Sequence, residues 1–121
     1  MGVAQAAHAE NWVQFYGDSA GRNLYDRDSV QSTGDGHVKV MFRTVYSTPQ
    51  HPNPNSSIPE SQTFNTREQF DDINCRARTY AVLGVWYYDA NGQKLGGASG
   101  RSPDVPTQSG TVGGLLSQTV C

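Results

Sequence analysis

Residues 75–89 read Cys75-Arg-Ala-Arg-Thr-Tyr-Ala-Val-Leu-Gly-Val-Trp-Tyr-Tyr-Asp89, the longest run of strand-forming residues in the chain. Threonine, valine, tyrosine and tryptophan fit a pleated, half-buried surface, so the run predicts a long central β-strand. At period two, Cys75, Ala77, Thr79, Ala81, Leu83, Val85 and Tyr87 share one side. Arg76, Arg78, Tyr80, Val82, Trp86 and Tyr88 share the other, with Gly84 between them. The second cysteine, Cys121, is the last residue of the sequence.

Downstream, Ala90-Asn91-Gly92-Gln93 carries the Asn-Gly pair that favours a two-residue hairpin turn, so Gln93–Ser99 is expected to fold back antiparallel. Glycines and prolines fill 96–106. At the end, Val112, Leu115, Leu116 and Val120 form a helical stripe behind Ser109, a candidate N-cap. Gly113 and Gly114 each weaken such a helix by about 1 kcal/mol relative to alanine, so packing must hold it. The small residues Cys75, Ala77 and Ala81 mark the strand side expected to receive it.

Upstream, Asn11–Tyr16 and Asn23–Tyr25 flank the turn cluster Gly17–Gly21 and read as a hairpin. In Val38–Tyr46, Val38, Val40, Phe42 and Tyr46 alternate with Lys39, Met41, Arg43 and Val45, a half-buried strand. Residues 47–61 hold four of the chain's 6 prolines and are expected to form a solvated loop. Residues 62–70 read as a polar edge strand. Together these give an α+β fold: about six antiparallel strands with a C-terminal helix packed on one face. Residues 11–121 are expected to form one domain.

A chain of 121 residues has room for one modest core. Its formal net charge of −2 offers no basic field for nucleic acid. The two cysteines lack metal-site spacing and form no C-x-x-C pair. They are either two free thiols in a reducing compartment or one bridge. A terminal cysteine is hard to bury, and exposed it would be reactive, whereas a bridge ties down an end that otherwise frays. A Cys75–Cys121 disulfide is therefore expected, worth up to about 4 kcal/mol by loop-closure entropy, and with it an oxidising compartment. Residues 1–10 contain Ala4-Gln5-Ala6 and Ala7-His8-Ala9, both of the A-x-A form found at signal cleavage sites. They are expected to be a disordered remnant near a mature N-terminus.

Several landmarks recur in order: Trp12; Asn23-Leu24-Tyr25-Asp26, then Ser29-Val30; Val38–Arg43; Asp72-Ile73-Asn74-Cys75-Arg76-Ala77-Arg78; Tyr87-Tyr88-Asp89 with Asn91-Gly92; and Leu115 through Cys121. In this arrangement the chain resembles the surface-adhesin protein E family of small secreted or outer-membrane domains of Gram-negative bacteria. The resemblance covers nearly everything after residue 11, and the paired cysteines with C-R-x-R after the first are its strongest part. It implies an antiparallel sheet, a C-terminal helix, the Cys75–Cys121 bridge, a possible homodimer through the sheet, and a place in the periplasm, at the outer-membrane surface or outside the cell. It also implies binding of host extracellular matrix or plasma proteins; no cofactor is expected, haem staying open on the family resemblance alone. No family binding motif maps onto named residues here. Many relatives carry a lipid anchor, whereas this sequence has no N-terminal cysteine to acylate.

Among candidate sites, Gly17-Asp18-Ser19-Ala20-Gly21 has the G-x-S-x-G form of a hydrolase nucleophile elbow, but strand-like residues follow where that motif needs a helix. His8, His37 and His51 lie far apart without a second ligand at i+2 or i+4, so no metal site is expected; His51 is the one candidate for haem iron. Asp26-x-Asp28 and Asp71-Asp72 lack calcium-loop spacing and are expected to hold turns or strand ends beside arginines. Asn55-Ser56-Ser57 has the form of a glycosylation acceptor, unused in a bacterium.

The favoured interaction face comprises Arg76, Arg78, Tyr80, Trp86 and Tyr88, joined by Lys39 and Arg43, because arginine and aromatic side chains left uncovered together are what protein interfaces enrich. The competing reading buries these aromatics under 47–61 and pairs the arginines with Asp71 and Asp72. The loop 47–61 is a second candidate, weakened by its lack of charge. The sequence thus points to a non-enzymatic extracytoplasmic binding protein, with a periplasmic accessory protein that dimerises through its sheet as the alternative.

Overall fold

A computed structural model describes residues 10–54, 56 and 58–121. His8, the A-x-A segments, and Asn55 and Ser57 of the acceptor triplet lie outside the described residues. The elements are β1 (Trp12–Asp18), β2 (Gly21–Asp26), a 3-10 turn (Arg27–Ser29), β3 (Gln31–Ser32), β4 (His37–Gln50), β5 (Phe64–Asn74), β6 (Thr79–Tyr88), β7 (Lys94–Ser99), β8 (Val105–Pro106) and α1 (Val112–Val120). All pairings are antiparallel, in the order β1-β2-β4-β5-β6-β7. The sheet has eight strands rather than six. The two additions are short: β3 pairs with β4 beyond the end of β2, and β8 pairs with β6 beyond the end of β7. Eight strands therefore occupy six rows.

The core lies between this sheet and α1. Val40, Phe42, Ile73 and Leu116 are buried together, with Phe15, Tyr25, Tyr80, Val112 and Val120 packed around them. The alternation in β4 gives its half: Val38, Val40 and Phe42 point toward the helix, Lys39, Met41 and Arg43 away from it. In β1, Gln14 opposes Leu24 while Tyr16 opposes Asn23, so Phe15 is a bulged residue. The bulge turns Phe15 inward, where its ring meets Tyr25 and Phe42 edge-on at 6.2 and 6.4 Å.

The helix cap is Thr111, whose hydroxyl accepts from the Gly114 N–H at 3.1 Å, not Ser109. The glycines that weaken the helix are what allow it to dock. A Cβ at Gly114 would stand 2.0 Å from the Gln108 carbonyl oxygen, and one at Gly113 would be 3.3 Å from the Tyr80 ring. Cys121 is bridged to Cys75 across a sequence separation of 46. The bridge fastens the end of α1 to the turn between β5 and β6.

Three sequence expectations are corrected here. β5 is central, bonded to β4 and β6 on either side, rather than a polar edge. Residues 47–50, including Pro49, extend β4 through an irregular stretch where regular pairing has lapsed and a missing N–H is tolerated. The proline-rich loop is also not fully solvated. Ile58 is buried, as is Pro52, and Phe64 at the loop's exit packs between Tyr46 and Tyr87 at 5.8 and 4.7 Å.

Candidate functional site

The long stretch 75–89 is not one strand. Residues 75–78 form a turn, Arg78 taking a left-handed backbone with φ of 58°. Arg76 and Arg78 therefore leave the sheet: the Arg76 side chain lies against Gly36 and Arg78 beside the disulfide. Within β6 the register slips, Asp71 opposing Val82 but Phe70 opposing Gly84. This one-residue bulge inverts every later side chain. Tyr80 and Val82 face α1, whereas Trp86 and Tyr88 face away from it. The helix thus sits on the Tyr80 side, not on the side of Ala81, with Cys75 and Ala77 in the turn. Of the seven candidate residues, Lys39, Arg43, Trp86 and Tyr88 share the face opposite the helix; Tyr80, Arg76 and Arg78 do not.

That face is built around a pair the sequence did not suggest. Arg43 and Glu68 oppose each other across β4 and β5 and form an ion pair, with Glu68 only 8% exposed. The Arg43 guanidinium stacks over the Trp12 ring at 3.9 Å from its centroid, and Glu10 lies 3.9 Å from it. The Tyr88 hydroxyl donates to Glu68 Oε1 at 3.3 Å. Burial, then the Glu68 charge, pushes the Tyr88 hydroxyl above its ordinary range. Two hollows of about 300 Å³ flank the pair, one lined by Met41, Phe70 and Asp26 and the other by Thr66, Tyr88 and Gly92.

Trp86 lies flat. A Cβ at Gly84 would come within 2.4 Å of its ring and one at Gly97 within 2.3 Å, so glycines on β6 and β7 form its bed. Lys94 Nζ stands 5.7 Å from the ring centroid. Further along, Asp72 accepts from Arg101 at 2.8 Å and meets His37 Nδ1 at 2.9 Å. Burial would push the Asp72 carboxyl up, but Arg101 and His37 outweigh it and hold the group below the usual range. Asp72 thus sits mid-sheet, paired with Arg101 rather than with Arg76 or Arg78. Trp12, Arg43 and Trp86 are each half-buried. Arg43 pairs with Glu68 and Arg101 with Asp72, while Lys39 and Lys94 make no ion pair among the described residues, so an occupant of this face would meet aromatic rings, neutralised pairs and two unpaired lysines.

The opposite face is unexpectedly polar along β5. Beneath the helix, Asp71 is 2% exposed and its partner is the Gln69 amide at 2.9 Å. Burial pushes its carboxyl up to about 6 against the opposing effects of Gln69 and the Arg67 charge.

Other candidates dissolve. Ser19 occupies a strand–turn–strand hairpin, with Asp18 opposite Gly21, so no helix N-terminus stands behind it. Asp26 holds a turn, accepting from the Asn11 and Asp28 N–H groups at 3.0 Å. His37 starts β4 and His51 follows its end, about 45 Å apart along 14 extended residues, too far to share one iron. Among the described residues, no group of three or more His, Cys, Asp or Glu side chains is placed to hold a metal.

The sequence matches the family described as surface-adhesin protein E over residues 12–121. The chain belongs to that family. The surface-adhesin E architecture is also present in solved structures. The structure of Haemophilus influenzae protein E is 14% identical with a TM-score of 0.62, the match covering 91% of this chain and 83% of that one. Protein E from non-typeable Haemophilus influenzae is 14% identical with a TM-score of 0.60, covering 91% and 74%. At that identity the likeness is one of fold. No curated protein sequence matches the chain. Among the described residues, no helix is long and apolar enough to cross a membrane.

Proposed function

We propose that the protein is a non-enzymatic surface-exposed or secreted binding protein that engages a protein partner through the sheet face opposite α1. Support comes first from the family, which is one of surface adhesins. The observation that carries the reading is Trp86 lying flat on Gly84 and Gly97. A side chain on either glycine would collide with the ring, so the sequence keeps two costly strand glycines to present an indole broadside. With Trp12, Met41, Phe70 and Tyr88 it makes a surface rich in the residue types that dominate interface energetics. The partner class is host extracellular matrix or plasma protein. Haem has no further support than the resemblance.

The matched charges of Arg43, Glu68, Asp72 and Arg101 also suit self-association, in which like surfaces meet. Light scattering on the oxidised protein, with and without Trp86→Ala, separates the two. A wild-type monomer whose binding to immobilised matrix proteins falls at least tenfold in Trp86→Ala supports the adhesin reading. A wild-type dimer that Trp86→Ala converts to monomer, with no binding, favours the self-associating accessory protein. Binding unaffected by Trp86→Ala removes this face from either role.

A further inference from the structure

The helix is too short for the face it covers. Nine residues span about 14 Å, whereas β4 runs 14 residues, about 46 Å. Beyond the N-terminus of α1 the sheet carries a row of partners across five strands: Tyr16, Asn23, Thr44, Arg67 and Tyr87. A cleft of about 220 Å³ opens on this row, walled by Tyr16, Tyr46 and Val112.

The Asp18 carboxylate at the cleft is already taken by the Tyr16 hydroxyl and the Ala20 and Gly21 N–H groups, which leaves Asn23 and Arg67 as donors in want of an acceptor. Asn23 is 5% exposed, and its Oδ1 accepts from the Thr44 hydroxyl at 2.7 Å, which leaves the amide NH2 turned to the cleft. No acceptor for that NH2 stands among the described residues. Arg67 lines the same cleft with its guanidinium in no ion pair among the described residues; its Nε, also without a partner, is fully buried, so the terminal nitrogens are the ones an occupant reaches. Buried donors are almost always satisfied, and leaving a charged one unpaired is costly. A site that is donor-rich and acceptor-poor asks for an acceptor from outside.

We propose that this cleft binds the carboxylate of a small planar acid, held in a fork by Arg67 with Asn23 beside it and its ring between Tyr16 and Tyr46. The guanidinium fork matches a carboxylate's two oxygens. A multiply charged anion is disfavoured, because the cleft holds one guanidinium and Asp18 stands at its rim. The volume, about seven waters' worth of liquid, suits a single ring. The acid is either free or the C-terminal carboxylate of a peptide ending in an aromatic residue; the chemistry recognised is the same.

The probes are benzoate, benzamide, N-acetylphenylalanine and its amide, titrated into the oxidised protein and followed by the side-chain NMR signals of Arg67 Nε–H and Asn23 NH2. Benzoate is expected to saturate both signals, and benzamide to bind at least about tenfold more weakly. N-acetylphenylalanine binding more tightly than benzoate assigns the acid to a chain terminus; equal or weaker binding assigns it to a free acid. Arg67→Gln is expected to lose at least about tenfold in benzoate affinity while its circular dichroism stays that of the parent. Benzamide binding as tightly as benzoate, or no saturation of these signals below about 10 mM benzoate, overturns the proposal. The benzamide comparison uses the unmodified protein and so stands even if the variant does not fold.

Discussion

Replacing Asp71 by asparagine should make the protein more stable, and by an amount that depends on pH. Asp71 lies at the centre of the sheet, opposite Val40 on one strand and Val82 on the other, with the Gln69 amide as its hydrogen-bond partner. Burial raises its carboxyl from 3.8 to about 6. Below about pH 4 the group is protonated in both folded and unfolded chains and contributes no penalty. Between about 4 and 6 the unfolded chain releases the proton while the folded one retains it, so stability falls as pH rises; above about 6 the loss is complete. At about 1.4 kcal/mol per pH unit the full penalty is about 3 kcal/mol. Asparagine keeps the shape and an oxygen for Gln69 but cannot ionise. Urea denaturation with the disulfide intact should give Asp71→Asn an advantage of about 3 kcal/mol at about pH 8, vanishing near about pH 3.5. The difference between the two proteins cancels the opposite contribution of Asp72, whose depressed carboxyl adds stability that is lost on acidification. An advantage equal at both pH values, or a larger loss at high pH, would refute the argument.

Three further outcomes follow from the packing. Reducing the Cys75–Cys121 bridge should cost up to about 4 kcal/mol, seen as a lower urea midpoint in reductant; an unchanged midpoint would mean that the closed loop constrains nothing. Gly114→Ala should destabilise by about 1–3 kcal/mol, because its methyl group meets the Gln108 carbonyl, whereas Gly113→Ala, against the Tyr80 ring edge, should cost less; thermal melts of the pair test the ordering. Arg101→Ala should raise the Asp72 carboxyl, since the guanidinium is the first of the groups offsetting its burial; an NMR titration of Asp72 that does not move contradicts this.

What the sequence revealed and what it hid have separate physical causes. β4 was legible because Val38, Val40 and Phe42 alternate strictly with Lys39, Met41 and Arg43, so one half-buried strand carries its own orientation. The hairpin after Tyr88 was legible because Gly92 takes φ of 78°, a backbone that Asn-Gly favours. β5 was misjudged because Glu68, Gln69, Asp71 and Asp72 look like surface residues. The sheet buries all four by pairing them, Glu68 with Arg43 across strands, Asp72 with the distant Arg101 and Gln69 with Asp71 inside β5, and such pairing leaves no hydrophobic pattern in sequence. The bulge in β6 was equally silent. Leu83, Gly84 and Val85 suit either phase of the strand, yet one inserted residue moved Trp86 and Tyr88 to the side opposite Tyr80. The turn at 75–78 gave no warning either, since arginine rather than glycine occupies its left-handed position. The candidate face was thus half visible: Lys39 and Arg43 through β4, Trp86 and Tyr88 by position, but neither Trp12 nor Glu68.

The chain's 2 tryptophans both stand on the side away from the helix, Trp12 under the Arg43 guanidinium and Trp86 on its glycine bed. Indole emission is therefore a built-in optical probe of one surface alone. A macromolecule settling there must displace water from one ring or the other and shift the spectrum. A small acid entering the tyrosine-walled cleft on the reverse side leaves that spectrum unchanged. Excitation at the red edge of the absorption band, where tyrosine is silent, can thus tell the two kinds of occupancy apart in a single cuvette without any label.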